Sequence, residues 1–93
     1  MSAESFETQR LVVGSHFSWE PIPDGCLLFE ESTGKLLTLN PAAEAVLSHC
    51  DGELTGAEIS RVLESDFDIP TAETHSLLQR LSAEGVIRPA PDA

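Results

Sequence analysis

Residues 24–41 read DGCLLFEESTGKLLTLNP, and this stretch sets the architecture of the chain. It holds two mostly apolar runs, residues 26–30 and 35–39, separated by a polar loop that ends in Gly34. That arrangement is typical of a β-hairpin. Asn40 and Pro41, which follow, are favoured at the cap and the first position of a helix. The stretch therefore predicts two antiparallel strands that lead directly into a helix.

Residues 16–22 predict a further strand before the hairpin. Phe17 and Trp19 alternate with Ser18 and Glu20, which is the period of a strand with one buried face. Pro21 places this strand at a sheet edge or a strand end, because proline has no backbone N–H to donate. Residues 10–13 are also apolar and fit either a strand or a lead-in.

Three helices are predicted after the hairpin. Apolar residues recur at helical spacing through residues 43–50, and Asp51 with Gly52 is expected to end this first helix. Thr55 and Glu58 fit a capping box for the second helix. Thr71 is expected to cap the third helix.

The third helix carries an apolar stripe and stops at a glycine, Gly85. We predict an α+β fold, in which an N-terminal three-stranded antiparallel sheet is followed by three helices. Residues 1–15 are expected to form a flexible N-terminal segment, residues 16–88 a single domain, and residues 89–93 a tail.

The charge balance argues against two classes of partner. Sixteen acidic residues stand against five basic ones, which gives a formal net charge of −11. Such a surface repels phosphate backbones and anionic lipid, and the five cations are scattered along the chain. We therefore expect neither a nucleic-acid partner nor a membrane partner. The polar N-terminus has no signal-peptide core, so a cytoplasmic location is predicted.

No motif of catalysis or metal binding stands out. The three histidines are far apart in sequence, and the chain has no nucleophile elbow and no phosphate-binding loop. Cys26 and Cys50 lack metal-ligand spacing and sit among apolar residues, where cysteine usually behaves as a small buried hydrophobe. We predict a non-enzymatic protein with no catalytic residue, no metal site and no cofactor.

The third predicted strand suggests a binding function instead. Residues 35–39 carry one charge and no proline, so this strand could accept an extended peptide at a sheet edge. The alternative is that a helix or residues 10–13 cover this edge. The residue pattern leaves both arrangements open.

The sequence resembles the PqqD family. The resemblance rests on residues 24–29 and 33–43, on the HCDG run at residues 49–52 with the following LT and EI pairs, and on residues 77–87, which read LLQRLSAEGVI. It covers residues 16–88 and implies a winged-helix-like recognition element for ribosomally synthesised, post-translationally modified peptides. In the family, the leader of a precursor peptide adds to the third strand beside the third helix. The domain then presents the precursor to a modifying enzyme, often a radical SAM protein.

Carried onto this chain, the resemblance implies a peptide site on the third strand and the third helix. The strand contributes Leu36, Leu37, Thr38 and Leu39. On the helix, Thr74, Leu77 and Leu81 are assigned inward. The less charged flank then contributes Thr71, His75, Leu78 and Ser82, and the other flank holds Glu73, Arg80 and Glu84. Replacement of Leu37 by proline is expected to abolish peptide binding.

Several alternatives remain open. Residues 16–21 are poorer in arginine than the first strand of quinone-pathway members, so the pathway is open between quinone biosynthesis and lasso or other modified peptides. Three helices and a sheet also describe a winged-helix transcriptional regulator, although the third helix has one arginine between two glutamates. An acidic interaction subunit of a larger complex is a third class. The chain is expected to be a monomer or a strand-exchanged dimer.

Overall fold

The computed structural model describes residues 8–90. Its elements, in chain order, are β1 (Arg10–Val13), β2 (Phe17–Ile22), β3 (Gly25–Glu30), β4 (Lys35–Leu39), α1 (Pro41–Ser48), β5 (Asp51–Thr55), α2 (Gly56–Phe67), α3 (Thr71–Ala83) and β6 (Ile87–Pro89). The predicted α+β class is confirmed, with the hairpin, the preceding strand and all three helices present.

The strands β2, β3 and β4 form one antiparallel sheet in that spatial order. Its turn between β2 and β3 depends on Gly25, which has a φ of 139°. A side chain at this position would collide with the backbone carbonyl of Leu39. Glycine is therefore required where the start of β3 passes the end of β4. Since β3 is central, β2 and β4 are the two edges.

A second sheet has the order β5-β1-β6, and the sequence did not predict β5 or β6. Residues 51–55 follow α1 as a strand, whereas α1 itself ends earlier, at Ser48 with His49 as its cap. The expectation that Asp51 and Gly52 end the helix was therefore wrong. This sheet joins strands that are far apart in sequence, because β1 is hydrogen-bonded to β6 at the other end of the described chain.

The strand β1 lies in the segment that the sequence assigned to a flexible N-terminus. Its Leu11 is fully buried, and it pairs with both β5 and β6. The folded unit therefore begins before residue 16. Likewise Pro89, which was assigned to the tail, closes β6. Residues 1–7 and 91–93 lie outside the described residues.

The helix caps follow the sequence at two of the three helices. The Asn40 side chain accepts a hydrogen bond from the Ala43 N–H at 2.9 Å. Thr55 and Glu58 form both bonds of the predicted capping box. At α3 the prediction was wrong, because Thr71 is already helical and the cap position is Pro70, which has no side-chain hydrogen bond to offer.

The core lies between the helices and the two sheets, and it includes Leu11 of β1 and Ile87 of β6. Its buried apolar residues are Leu11, Cys26, Leu28, Leu39, Ala43, Val46, Leu47, Cys50, Ile59, Leu63, Leu77, Leu78, Leu81, Val86 and Ile87. Every helix of the described chain is too short or too polar to cross a membrane.

Candidate functional site

The direction of the backbone groups on β4 follows from a hydrogen bond at the far side of the sheet. The Glu31 N–H donates to the His16 carbonyl at 2.9 Å, one step beyond the β2–β3 register. In an antiparallel ladder the residues of a strand direct their N–H and C=O groups alternately to one neighbour and to the other. The odd-numbered residues of β3 therefore bond β2, and its even-numbered residues bond β4.

The consequence for β4 is a fixed alternation. The partners of the even-numbered β3 residues are Lys35, Leu37 and Leu39, so these three direct their backbone groups inward to β3. Leu36 and Thr38 direct theirs away from the sheet. Within residues 8–90, β4 has β3 as its single strand neighbour, and β1 lies in the other sheet. The edge is thus not covered by residues 10–13, which was one of the two alternatives that the sequence left open.

The two edges of this sheet differ in their capacity for pairing. By the same alternation, residue 21 of β2 faces away from β3, and this residue is Pro21, which has no N–H. Proline at an outward position is a common way to block an edge strand. The β4 edge has no proline and offers the N–H and C=O groups of Leu36 and Thr38. Of the two edges, β4 is the one equipped to accept a further strand.

The side chains of β4 alternate between two faces. Leu37 packs against the core, and Leu39 is 2% exposed. Leu36 and Thr38 point to the outer face, where Leu36 is 54% exposed. Of the four strand residues predicted for peptide binding, two therefore offer backbone groups and outer side chains, while the other two hold β4 to the body of the domain.

The helix α3 reaches β4 through one ion pair. The Lys35 Nζ lies 2.7 Å from the Glu84 Oε1, at the start of β4 and just beyond the end of α3. The hydrogen bond and the charge of Glu84 raise the pKa of Lys35, and the same contact lowers the pKa of Glu84. Both side chains are exposed, so solvent screens the pair and its effect is on position more than on stability.

The ion pair bears on which side of α3 faces β4. Glu84 continues a stripe at helical spacing with Glu73, Leu77 and Arg80. At 9% exposure, Leu77 is the most exposed of the core residues. The structure therefore brings this flank of α3 toward the start of β4.

The residues of α3 that were predicted to bind the peptide lie on another side of the helix. Thr71, His75 and Ser82 are half-buried, and Leu78 is fully buried. The sequence placed Leu78 on an exposed flank because only three positions, Thr74, Leu77 and Leu81, were assigned inward. The structure buries all four of these residues, so Leu78 has no surface to offer in this conformation.

A concave surface lies beside α1 and is lined by residues outside β4. It has a volume of about 460 Å³ and is bordered by residues of α1, by His49 and by the loop after α2. Phe67, which is 51% exposed, meets the His49 ring edge-on at 5.9 Å between ring centroids. Neither this contact nor this depression was predicted from the sequence.

The described residues include neither a cluster of potential metal ligands nor a thiol with a lowered pKa. Between residues 8 and 90, no three His, Cys, Asp or Glu side chains are grouped so that they could hold a metal ion. Burial raises the pKa of the Cys50 thiol to about 12 and also raises that of Cys26. Thiols of this kind are poor nucleophiles at neutral pH, because the thiolate is the reactive form.

The fold is shared with several solved structures, of which three are compared below. The heterocyclase TruD matches with a TM-score of 0.72 and 26% identity over 91% of this chain, which spans only 12% of that enzyme. A lasso peptide synthetase B1 complexed with the leader peptide matches with a TM-score of 0.69 and 17% identity, over 86% of this chain and 99% of that one. TbiB1 in complex with the TbiA(beta) leader peptide matches with a TM-score of 0.68 and 14% identity, over 87% and 99%. At 17% and 14% identity, the likeness to the last two structures shows a common fold alone.

Sequence comparison identifies the family. No curated protein matches the chain at a significant level. Residues 25–87 match the family described as coenzyme PQQ synthesis protein D (PqqD). That match covers β3 through the start of β6, and therefore β4 and α3. The chain belongs to the PqqD family.

Proposed function

We propose that this protein is a non-catalytic adaptor, which binds the leader segment of a ribosomally made precursor peptide and presents it to a modifying enzyme. The observation that carries the proposal is the open edge of β4, where the backbone groups of Leu36 and Thr38 face outward. An extended peptide that adds there makes main-chain hydrogen bonds regardless of its sequence. Side chains on either face then supply selectivity.

The comparisons support this function. The chain is a PqqD family member, and two proteins of the same fold are described as complexes with leader peptides. Both of those chains are spanned almost completely by this fold, whereas in TruD the fold is a small part of a heterocyclase. The second partner in this proposal is a modifying enzyme. A radical SAM enzyme is the proposed partner, and the predicted cytoplasmic location suits it.

The proposed groove lies between the β4 edge and α3. Two sets of helix residues are candidates for its wall. The set from the sequence is Thr71, His75, Leu78 and Ser82, and the Lys35–Glu84 ion pair favours the set Glu73, Leu77, Arg80 and Glu84. Matched variants distinguish the two walls. Arg80→Gln is expected to change peptide affinity and His75→Gln to leave it unchanged, and the reverse result would restore the first set.

Amide hydrogen exchange tests strand addition directly. The protein is titrated with synthetic leader peptides encoded beside its gene, and exchange is followed residue by residue by NMR. We expect the Leu36 and Thr38 amides to exchange quickly without peptide and to become protected when it is bound. The Leu37 and Leu39 amides, which already bond β3, should be slow in both states. Saturable binding without new protection at residues 36 and 38 would rule out this edge.

The same edge offers a route to self-association. Two copies could pair edge to edge through β4 and form a dimer in place of a monomer, and the predicted strand-exchanged dimer would involve the same exposed strand. In that case peptide and partner copy compete for the backbone groups of Leu36 and Thr38. Sedimentation with and without saturating peptide measures this, and a dimer that persists with bound peptide must use another surface.

A further inference from the structure

The outer face of the first sheet carries an apolar row that ends at the β4 edge. The register places Ser18 opposite Phe29, and Phe29 opposite Leu36. Phe29 is 38% exposed and Leu36 is 54% exposed, so the apolar surface increases toward the edge. The neighbouring row, Glu20, Leu27 and Thr38, ends in a polar side chain.

The direction of the backbone groups links this row to a bound strand. Leu36 directs both its N–H and C=O to the open edge and its side chain to the outer face. In an antiparallel pair, the peptide residue that exchanges hydrogen bonds with Leu36 lies directly opposite it, and opposite residues place their side chains on the same face. The next peptide residue points to the inner face, beside Leu37. An antiparallel peptide continues the order of the sheet, in which both existing pairs are antiparallel.

We infer that the row Phe29–Leu36 is a second recognition surface for the leader, in addition to the groove beside α3. Its occupant is a bulky apolar side chain of the peptide residue that is hydrogen-bonded to Leu36. The residue opposite Thr38 is β-branched or polar. The leader class is therefore a strand with a bulky apolar side chain on its outer face opposite Leu36. This inference rests on the proposed strand addition, and it names the peptide chemistry which that site prefers.

An exposed apolar row costs free energy in water unless another polypeptide covers it. The neighbouring row of the same face holds an exposed Glu20, and the exposed Glu31 directly follows β3. An added strand covers the Leu36 side chain at the point where it is most exposed. A charged peptide residue at the same place would leave that side chain in contact with water, and an acidic one would also be repelled by the Glu20 and Glu31 carboxylates.

The test uses random displayed peptides, so that selection alone determines which side chains are preferred. Peptides about ten residues long, enough for one strand with flanks, are selected against the full chain and against Leu36→Thr. Glu20→Thr is the matched control, since it changes the same face at the opposite edge of the sheet. An N-methyl scan of the selected peptides then identifies the residues whose N–H groups face β4, because methylation removes those bonds.

The inference predicts that one of the methylation-sensitive residues is bulky and apolar. Replacing it by threonine should weaken binding about fivefold with the wild-type protein and with Glu20→Thr, the size of a favourable cross-strand pair. The same peptide change should have no effect with Leu36→Thr. Peptides that bind with polar residues at every methylation-sensitive position would overturn the inference and leave strand addition intact. Failure to select any peptide would count against strand addition itself, and the inference would fall with it.

Discussion

Replacing Thr38 by proline should strongly weaken peptide binding while leaving the domain folded. Thr38 is exposed and its N–H faces away from β3, so the β3–β4 ladder loses no bond. Proline is tolerated at such outward positions, and Pro21 already occupies one on the opposite edge. The expected cost in unfolding free energy is about 1 kcal/mol or less. Leu37→Pro, which the sequence suggested as the test, is a poor one, because the Leu37 N–H belongs to the ladder.

The effect on affinity follows from the bonds at residue 38. The variant cannot donate to the peptide, and its ring also obstructs the approach of the strand to the neighbouring carbonyl. Two net hydrogen bonds of about 1 kcal/mol each correspond to a loss of about thirtyfold in affinity. Leu37→Pro should instead destabilise the fold by about 3 kcal/mol, because it removes a ladder bond and a side chain that packs against the core.

Calorimetric titration and denaturant unfolding measure the two quantities separately. Thr38→Ala is the control, since it removes the same side chain and keeps the N–H. It should bind peptide within a few-fold of the wild type. The reasoning would be refuted if Thr38→Pro kept full affinity while folded, or if Thr38→Ala lost as much affinity as the proline variant.

Three further predictions concern stability. Burial raises the pKa of Cys50 to about 12, so its thiolate is disfavoured in the folded state. The contribution of Cys50 to stability should be constant below the ordinary thiol pKa and fall as the pH rises above about 9. Cys50→Ala should reduce this pH dependence in denaturation curves, and Cys26, whose pKa burial also raises, should account for part of what remains. The hydroxyl of Thr74 is buried without a hydrogen-bond partner, so Thr74→Val should stabilise the fold by about 1 kcal/mol; a loss of stability would mean that the hydroxyl is satisfied. Gly25→Ala should lower the free energy of unfolding by about 3 kcal/mol or more, because the added Cβ would collide with the backbone of Leu39. Gly34→Ala, also at positive φ but with open space around the added Cβ, should cost about 1 kcal/mol. Equal losses in thermal unfolding would show that the backbone angle alone determines the cost.

The local sequence pattern was enough to predict those secondary-structure elements that depend on residues close together in the chain. The alternation in β2, the hairpin loop before Lys35 and the caps at Asn40 and Thr55 are all short-range signals, and the structure contains each of them. The strands β5 and β6 carry no such signal. Residues 51–55 are partly acidic and contain a glycine at positive φ, and residues 87–89 are three residues with a proline. Both are strands because β1 supplies the hydrogen bonds, and one sequence does not show that pairing.

Some features of the candidate site could be predicted from local sequence, and others depend on contacts between distant residues. The edge position of β4 and the absence of proline from it were visible in sequence. The outward direction of Leu36 and Thr38 was not, because it depends on which residues of β3 already bond β2. The flank of α3 was chosen by chemical character, yet the rotation of a helix about its axis is set by packing. Four buried positions and the Lys35–Glu84 contact define that rotation here.

The pairing of β1 with β6 brings the two ends of the described chain together. The Ala90 N–H donates to the Arg10 carbonyl at 2.7 Å, so the polypeptide enters and leaves the domain at one point. A unit with adjacent ends can be inserted into a loop of another protein, or opened elsewhere and rejoined by a short linker, with little disturbance of either part. Circular permutation with new ends in the loop at residues 31–34 would leave β1, β5 and β6 continuous with the helices. It would also release β4 at its first residue, next to the edge where the peptide is expected to bind.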